Sequence, residues 1–480
     1  MHADLITNAA LISTGKVPAF IAGLLGVTLL CSISGAQAQS TETATDHSSN
    51  NASELPAHVI RRFGTPPEVP TGALSDELTA AVDTAFGDSL KNGTWGADQN
   101  QALQTIASSG DARLAWLVSD FMRIASSTQL MGSLAIAARD LLNIEFEQGN
   151  YWGHTTDQLI GWDIPAPPNY LKYKRNIYTL IVSEWSEILQ PGDIDWRHVS
   201  WGGVRIDDRA YDTTDEPCNC IPAADNPIVT SAKDATWLDD NAVVFGVEVN
   251  GEYRAYPRQI MEVREMVNDT LGGRVLGIPY CTLCASAQVY FTDNMPEGVE
   301  RPVLRTSGLL IRSNKVMYDL NTFSVFDTFR GQAVTGSLAD KGVALKQAGV
   351  VTAKWGDWKA AHPSTTVLDE SLAMGRDFDF RNTRDADGPI FPVGDVDPRL
   401  SVHEDIVGLV AASGTPVAFQ LSKVVEALND KQQVEFENIV LTLNGGGVKA
   451  VDKNGKDLGG HQAFWFAWSQ FYPDTVLWSM

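Results

Sequence analysis

Apolar residues recur every three or four positions between about residues 75 and 189, and at shorter, alternating intervals after about residue 196. In the first region Leu78, Val82 and Phe86 fall four apart, and Leu103 and Ile106 three apart. After Ser109-Gly110-Asp111 come Leu114, Leu117, Val118 and Phe121, and then Leu134, Ile136, Leu141 and Leu142. Helix, Gly-Asp turn and helix predict an antiparallel helical layer. A further helix is expected over residues 173–189, stopped by Pro191-Gly192. Residues 69–195 thus read as a helical domain without evident chemistry, whose default role is to cover or to dock a protein partner.

From about Trp196 the texture changes to short runs punctuated by Gly, Pro, Asn and Asp. Two strands flank Asn250-Gly251, the strongest short hairpin signal. A short helix is expected over residues 260–267, closing on Asn268-Asp269. The same order recurs after Asp405, where Gly408 matches Gly246, Ala418-Phe419 matches Ala255-Tyr256, and Asn429-Asp430 matches Asn268-Asp269. A second echo pairs Trp355 to Thr365 with Phe466 to Thr475, each ending in an aromatic or His, Pro, one residue and Thr. The expected fold class is α+β: a helical N-terminal domain, then a β-rich, internally duplicated domain over 196–480, with halves of about 196–370 and 371–480.

Lys16 precedes an apolar run up to Cys31, followed by the small-x-small site Ser34-Gly35-Ala36-Gln37-Ala38. This pattern predicts a signal peptide over 1–38, cut after Ala38, and hence a periplasmic or secreted protein. Residues 39–68 are polar, small and aperiodic, as in a disordered leader. No later stretch has the run of about 20 apolar residues that spans a bilayer, so no integral membrane segment is expected after cleavage. The net charge of −23 over 480 residues argues against nucleic acid as a partner, because phosphate binding needs Lys and Arg patches.

Cleavage would leave four cysteines, Cys218, Cys220, Cys281 and Cys284. Cys281-Thr-Leu-Cys284 stands between an apolar run and the alternating Ala285 to Phe291, so it is expected in a tight connection between strands. A thiol there lacks the helix dipole that activates thioredoxin-type pairs. Three readings stand open. The four sulfurs could form one soft-metal site for zinc or copper, centred on Cys281 and Cys284. They could be disulfides joining the 218/220 pair to the 281/284 pair, closing loops of about 62 residues and stabilising by roughly 4 kcal/mol; the protein is then a non-catalytic extracytoplasmic interaction module. Or Cys281 attacks and Cys284 resolves in thiol–disulfide exchange, with Arg254, Arg264 or Arg305 as a charge donor. His362, beside Pro363, reads as a structural hydrogen-bonding group, and His461, near Phe464 to Trp468, as core.

Residues from about 199 to 480 resemble the domain of unknown function 3179 family. The resemblance rests on Ile221-Pro222, Gly246 to Pro257 with Arg-Ala-Tyr-Pro, Glu265-x-x-Asn268-Asp269 and Tyr280-Cys-Thr-Leu-Cys284-Ala-Ser. It continues through Ser307-Gly308, Met317-Tyr318-Asp319, Gly331 to Gly336, and Trp358 to Thr365. The family implies a fold neighbourhood and no activity. Arg264 stands where its pattern often has His, Thr282 where it often has Pro, and Phe326 where it favours Trp. Chemistry that needs that His is not available here, since a guanidinium keeps its proton.

Overall fold

The computed structural model describes residues 55–146, 149–213, 218–370 and 388–479. The expected signal segment, its Cys31 and most of the leader lie outside them. A helix, Ala57–Phe63, falls inside the stretch expected to be disordered. Tertiary contacts account for it: Val59 is buried, and the Phe63 carbonyl accepts a hydrogen bond from the Gln158 amide.

Helices then run over Asp76–Phe86, Ala97–Ser108, Ala115–Ile124, Thr128–Leu142, Tyr151–Gly161 and Tyr170–Tyr178. Local chemistry sets their ends. Ser75 Oγ accepts from the Leu78 N–H at 3.2 Å, and Ser127 Oγ from Leu130 at 3.3 Å. Asn143 closes Thr128–Leu142 in the left-handed region, where Asn is among the few residues tolerated. The single helix expected over 173–189 is in fact two, Tyr170–Tyr178 and Trp185–Ile188. Between them stand the β-branched Ile181 and Val182 and then Ser183, which favour a turn.

Ala115–Ile124 is the centre of this layer, buried from Ala115 to Met122. Its Asp120 forms a 2.6 Å ion pair with Lys174, and both side chains are almost fully buried. Burial pushes Asp120 up and Lys174 down from their ordinary values, against their mutual attraction. Lys174 also donates to the Val199 carbonyl at 2.7 Å, in the first strand of the β-rich part.

Twenty-two short strands among the described residues form five sheets. Val243–Val249 and Glu252–Pro257 make the expected hairpin, with Asn250 and Gly251 both at positive φ (50° and 82°) as its two-residue turn requires. These strands sit between Val351–Lys354 on one side and Thr366–Leu368 on the other, and Thr366–Leu368 runs parallel to Glu252–Pro257. The order recurs with Asp405–Val410 and Pro416–Gln420 between His461–Phe464 and Val476–Leu477, the last again parallel to its neighbour. The matched glycines have one physical cause. A Cβ on Gly246 would sit 2.4 Å from the Trp358 ring, and one on Gly408 2.4 Å from the Trp468 ring. Trp358 Nε1 donates to Thr365 Oγ1 at 3.0 Å, and Trp468 Nε1 to Thr475 Oγ1 at 2.9 Å.

The recurrence is partial. The sheet built on Leu304–Ile311 and Asn314–Asp319 has no counterpart after residue 388 among the described residues. Asn268-Asp269 also differs from Asn429-Asp430. Its helix, Arg258–Arg264, ends early, and the two residues lie buried in the strand Met266–Leu271, whereas Asn429 ends the helix Leu421–Asn429. Asn268 donates to Asp225 at 2.8 Å, and Asp269 accepts from Arg254 and Tyr256 at 2.6–2.7 Å.

Helical and β-rich parts share one core. Leu309, Val316 and Tyr318 are buried in the same cluster as Trp116 and Trp185, and Trp185 Nε1 donates to the Ser307 carbonyl at 2.8 Å.

Candidate functional site

The strand Arg274–Cys281 ends in a 3-10 turn, Thr282–Cys284, and Ala285 at φ 49° reverses the chain into Ser286–Ala287. Cys281 pairs antiparallel with Ser286. The connection between strands is as the alternation predicts, and Cys281 caps a single 3-10 turn rather than an α-helix. Cys281 is 3% exposed and Cys284 0%. Their sulfurs are bonded to each other, and those of Cys218 and Cys220 likewise.

The long-range links of the disulfide reading are therefore absent, since each pair is bonded within itself. Cys220 is tied to Arg205, whose N–H donates to the Asn219 carbonyl at 3.0 Å. Cys281 and Cys284 instead face the turn between Leu304–Ile311 and Asn314–Asp319. The Ser313 carbonyl lies 3.8 Å from Cys281 Sγ and 3.6 Å from Cys284 Sγ, and Asn314 Oδ1 lies 2.8 Å from Cys284 Sγ.

That turn is strained. Arg312 and Ser313 stand at φ 44° and 70°, in the left-handed region that glycine adopts freely and these residues only at a cost. Backbone strain held by surrounding structure is a mark of functional sites. Lys315, two residues beyond Ser313, is 4% exposed and forms a 2.6 Å ion pair with Glu265. Burial pushes the Lys315 ammonium down from its ordinary value. Glu265 also accepts from Thr282 Oγ1 at 2.9 Å, which connects the ion pair to the cysteine loop.

A second cluster surrounds Cys218 and Cys220. Asp207, Cys218 and Cys220 offer ligand atoms within 4.8 Å of one another, and among the described residues no other three His, Cys, Asp or Glu side chains do so. Cys281 and Cys284 thus lack a third ligand of these types, and the four cysteines form no single set. Asp207 is already well occupied: it accepts from Arg209 Nε at 2.6 Å and from the Ala223 N–H at 2.8 Å.

A family model described as protein of unknown function (DUF3179) matches residues 218–458, about half of the chain. The chain belongs to this family. The DUF3179 span takes in Cys218, Cys220, Cys281, Cys284, Glu265 and Lys315, and leaves Asp207 outside. No curated protein and no solved structure matches the chain.

The arginines expected to charge the cysteine loop are committed elsewhere. Arg254 pairs with Asp269, Arg264 with Glu370 and Arg305 with Asp225, each at 2.5–2.6 Å. The cation tied to the loop is Lys315, which sequence reading missed; its signal was the polar Arg312-Ser313 turn between two apolar runs. His362 makes the expected hydrogen bond, to Asn444 Oδ1 at 3.0 Å. His461 is buried against Phe329 and Trp468, as a core residue.

Proposed function

We propose that Cys281 and Cys284 form a thiol–disulfide centre acting on small disulfides and thiols. Local pairing carries this reading. In the chain-entropy model a bond closing so short a loop stabilises by roughly 2 kcal/mol, about half the value for a 62-residue loop, so stapling accounts poorly for it. Burial of both sulfurs favours a small molecule over a protein disulfide.

In the reduced form Cys281 is the attacking sulfur. The Ser313 carbonyl lies near both sulfurs, but Asn314 Oδ1 faces Cys284 alone and would accept a hydrogen bond from its thiol, which makes Cys284 the resolving partner. The Cys281 thiolate attacks R–S–S–R, the substrate S–S bond breaks, and one thiolate leaves and is protonated. Cys284 then loses its proton and attacks Cys281 sulfur, releasing the second thiol and forming the protein disulfide. Two electrons pass to the substrate, and an external thiol reverses the cycle. With the expected export signal, the setting would be periplasmic or secreted.

The test is a thiol count with metal analysis on protein purified without reductant, followed by equilibration with glutathione buffers. The Cys281–Cys284 bond is expected to reduce above about −300 mV, the range of labile disulfides. Cys284→Ser should accumulate a mixed disulfide with glutathione and lose little stability. A bond that resists excess thiol would make the pair an inert staple and end the proposal.

A second reading is a soft-metal site, for zinc or copper, at Asp207, Cys218 and Cys220, favoured by the convergence of their ligand atoms. It requires reduction of the Cys218–Cys220 bond and competes with the hold of Arg209 on Asp207. Stoichiometric metal that Cys218→Ser abolishes would establish it.

A further inference from the structure

Where the helical and β-rich parts meet, the Arg123 guanidinium sits among three aromatic rings. Its carbon lies 4.5 Å from the Trp152 ring centroid and 5.4 Å from those of Trp201 and Phe391. Arg123 comes from the helix Ala115–Ile124, Trp152 from Tyr151–Gly161, Trp201 from the strand Val199–Trp201, and Phe391 from a loop. All four are half-buried, so the group stands at the surface. Nε donates to the Trp201 carbonyl at 2.7 Å. The remaining donors, on Nη1 and Nη2, make no hydrogen bond among the described residues and are not sealed from solvent. Gly203 shows where they open. It is exposed, and a Cβ there would lie 3.6 Å from Arg123 Nη2, with no other described atom beyond its chain neighbours within 4 Å.

A guanidinium drawn inward ordinarily finds a carboxylate in this protein. Arg113, Arg209, Arg254, Arg264 and Arg305 each meet one at 2.5–2.7 Å. Arg123 meets none among the described residues. Burial pulls it down from its ordinary value, and only the Tyr178 hydroxyl opposes that. No second cation and no acidic side chain among the described residues acts on it. The ring faces attract the positive charge but offer no acceptor to its N–H groups. The site is therefore a single, half-desolvated cation whose two outer donors lack a protein partner.

We infer that this site binds a small monocarboxylate with an apolar body, its two oxygens on Arg123 Nη1 and Nη2 and its body against the open edges of Trp152 and Phe391. Two N–H groups side by side on a planar guanidinium suit the two oxygens of a carboxylate. One cation balances one negative charge. A dianion such as phosphate would leave a charge unbalanced against apolar rings, which costs desolvation. A neutral ligand would leave the guanidinium unpaired. The half-buried rings favour a ligand that covers them over a bare carboxylate. Three of the four residues lie outside the family span of 218–458, so the helical part brings a binding chemistry of its own. The inference stands apart from the cysteine chemistry and does not need it.

Calorimetric titration of the full chain with benzoate, and in parallel with benzamide, acetate and inorganic phosphate, tests it. Benzoate is expected to bind saturably at one equivalent and more tightly than any of the three. Benzamide removes the charge, acetate the apolar body, and phosphate the match of one charge to one. Arg123→Met should weaken benzoate binding by about tenfold or more, as for loss of charge-assisted hydrogen bonds. Arg123→Lys keeps the charge but not the paired donors, and should weaken it about threefold. The lysine variant serves if Arg123→Met does not fold, which circular dichroism reports. Absent saturation at about 10 mM benzoate in a folded parent chain, affinity unchanged in the folded variants, or any of the three controls bound as tightly as benzoate would each overturn the inference.

Discussion

His461 shows how one buried group sets a pH response. Its ring nitrogens face the side-chain amides of Gln288 and Gln347, and burial pulls its pKa down to about 3. The unfolded chain, with an ordinary imidazole near 6.5, binds a proton that the folded chain refuses between those two values. The stability that neutral His461 contributes is therefore fully present above about pH 6.5 and is lost as pH falls toward 3. Urea unfolding should show a loss of about 2 kcal/mol between pH 7 and pH 5 from this residue. His461→Gln should flatten the profile in that window, and an unchanged slope would assign the response to other groups. His198, also held low by burial, adds in the same direction.

The strained hairpin is the element whose conformation and chemistry are most tightly joined. Its tip holds the Ser313 carbonyl against both sulfurs, while Ser313 itself stands at φ 70° with a buried, unpartnered hydroxyl. Ser313→Gly keeps the carbonyl, removes the hydroxyl and relieves the left-handed strain. Stability is expected to rise by about 1 kcal/mol, measured by urea unfolding, with the Cys281–Cys284 potential little changed. A fall in stability would mean that the side chain supports the turn. Asn250-Gly251 makes an equivalent turn without strain, so its geometry is legible from two residues. Arg312-Ser313 uses residues poorly suited to the same reversal, and only the surrounding packing explains why they adopt it.

Across the whole molecule the helical and β-rich parts are joined by groups that cannot be parted cheaply. Lys174 bridges Asp120 to the Val199 carbonyl, and Trp185 reaches Ser307 across a common core. Exposing that core and the buried ion pair in a half-folded intermediate would cost several kcal/mol. Residues 55–479 should therefore unfold in one transition, with circular dichroism and tryptophan fluorescence tracing the same curve. Two separated transitions would show that the helical part is an independent domain.

Periodicity alone determined the helical layer, the β-rich remainder and the strand–turn–strand placement of Cys281 and Cys284, because each depends on local burial pattern and turn chemistry. The twin Gly–Trp–Thr constellations, Gly246 with Trp358 and Thr365 and Gly408 with Trp468 and Thr475, were also legible, since the same packing constraint was written twice in the chain. Only the tertiary structure decided which cysteines meet, because sulfur pairing depends on where Arg205 and the 312–313 turn lie in space. The same holds for Lys315 and Arg312. Their partners, Glu265 and His198, are 50 and 114 residues away in sequence, a distance that no local pattern spans.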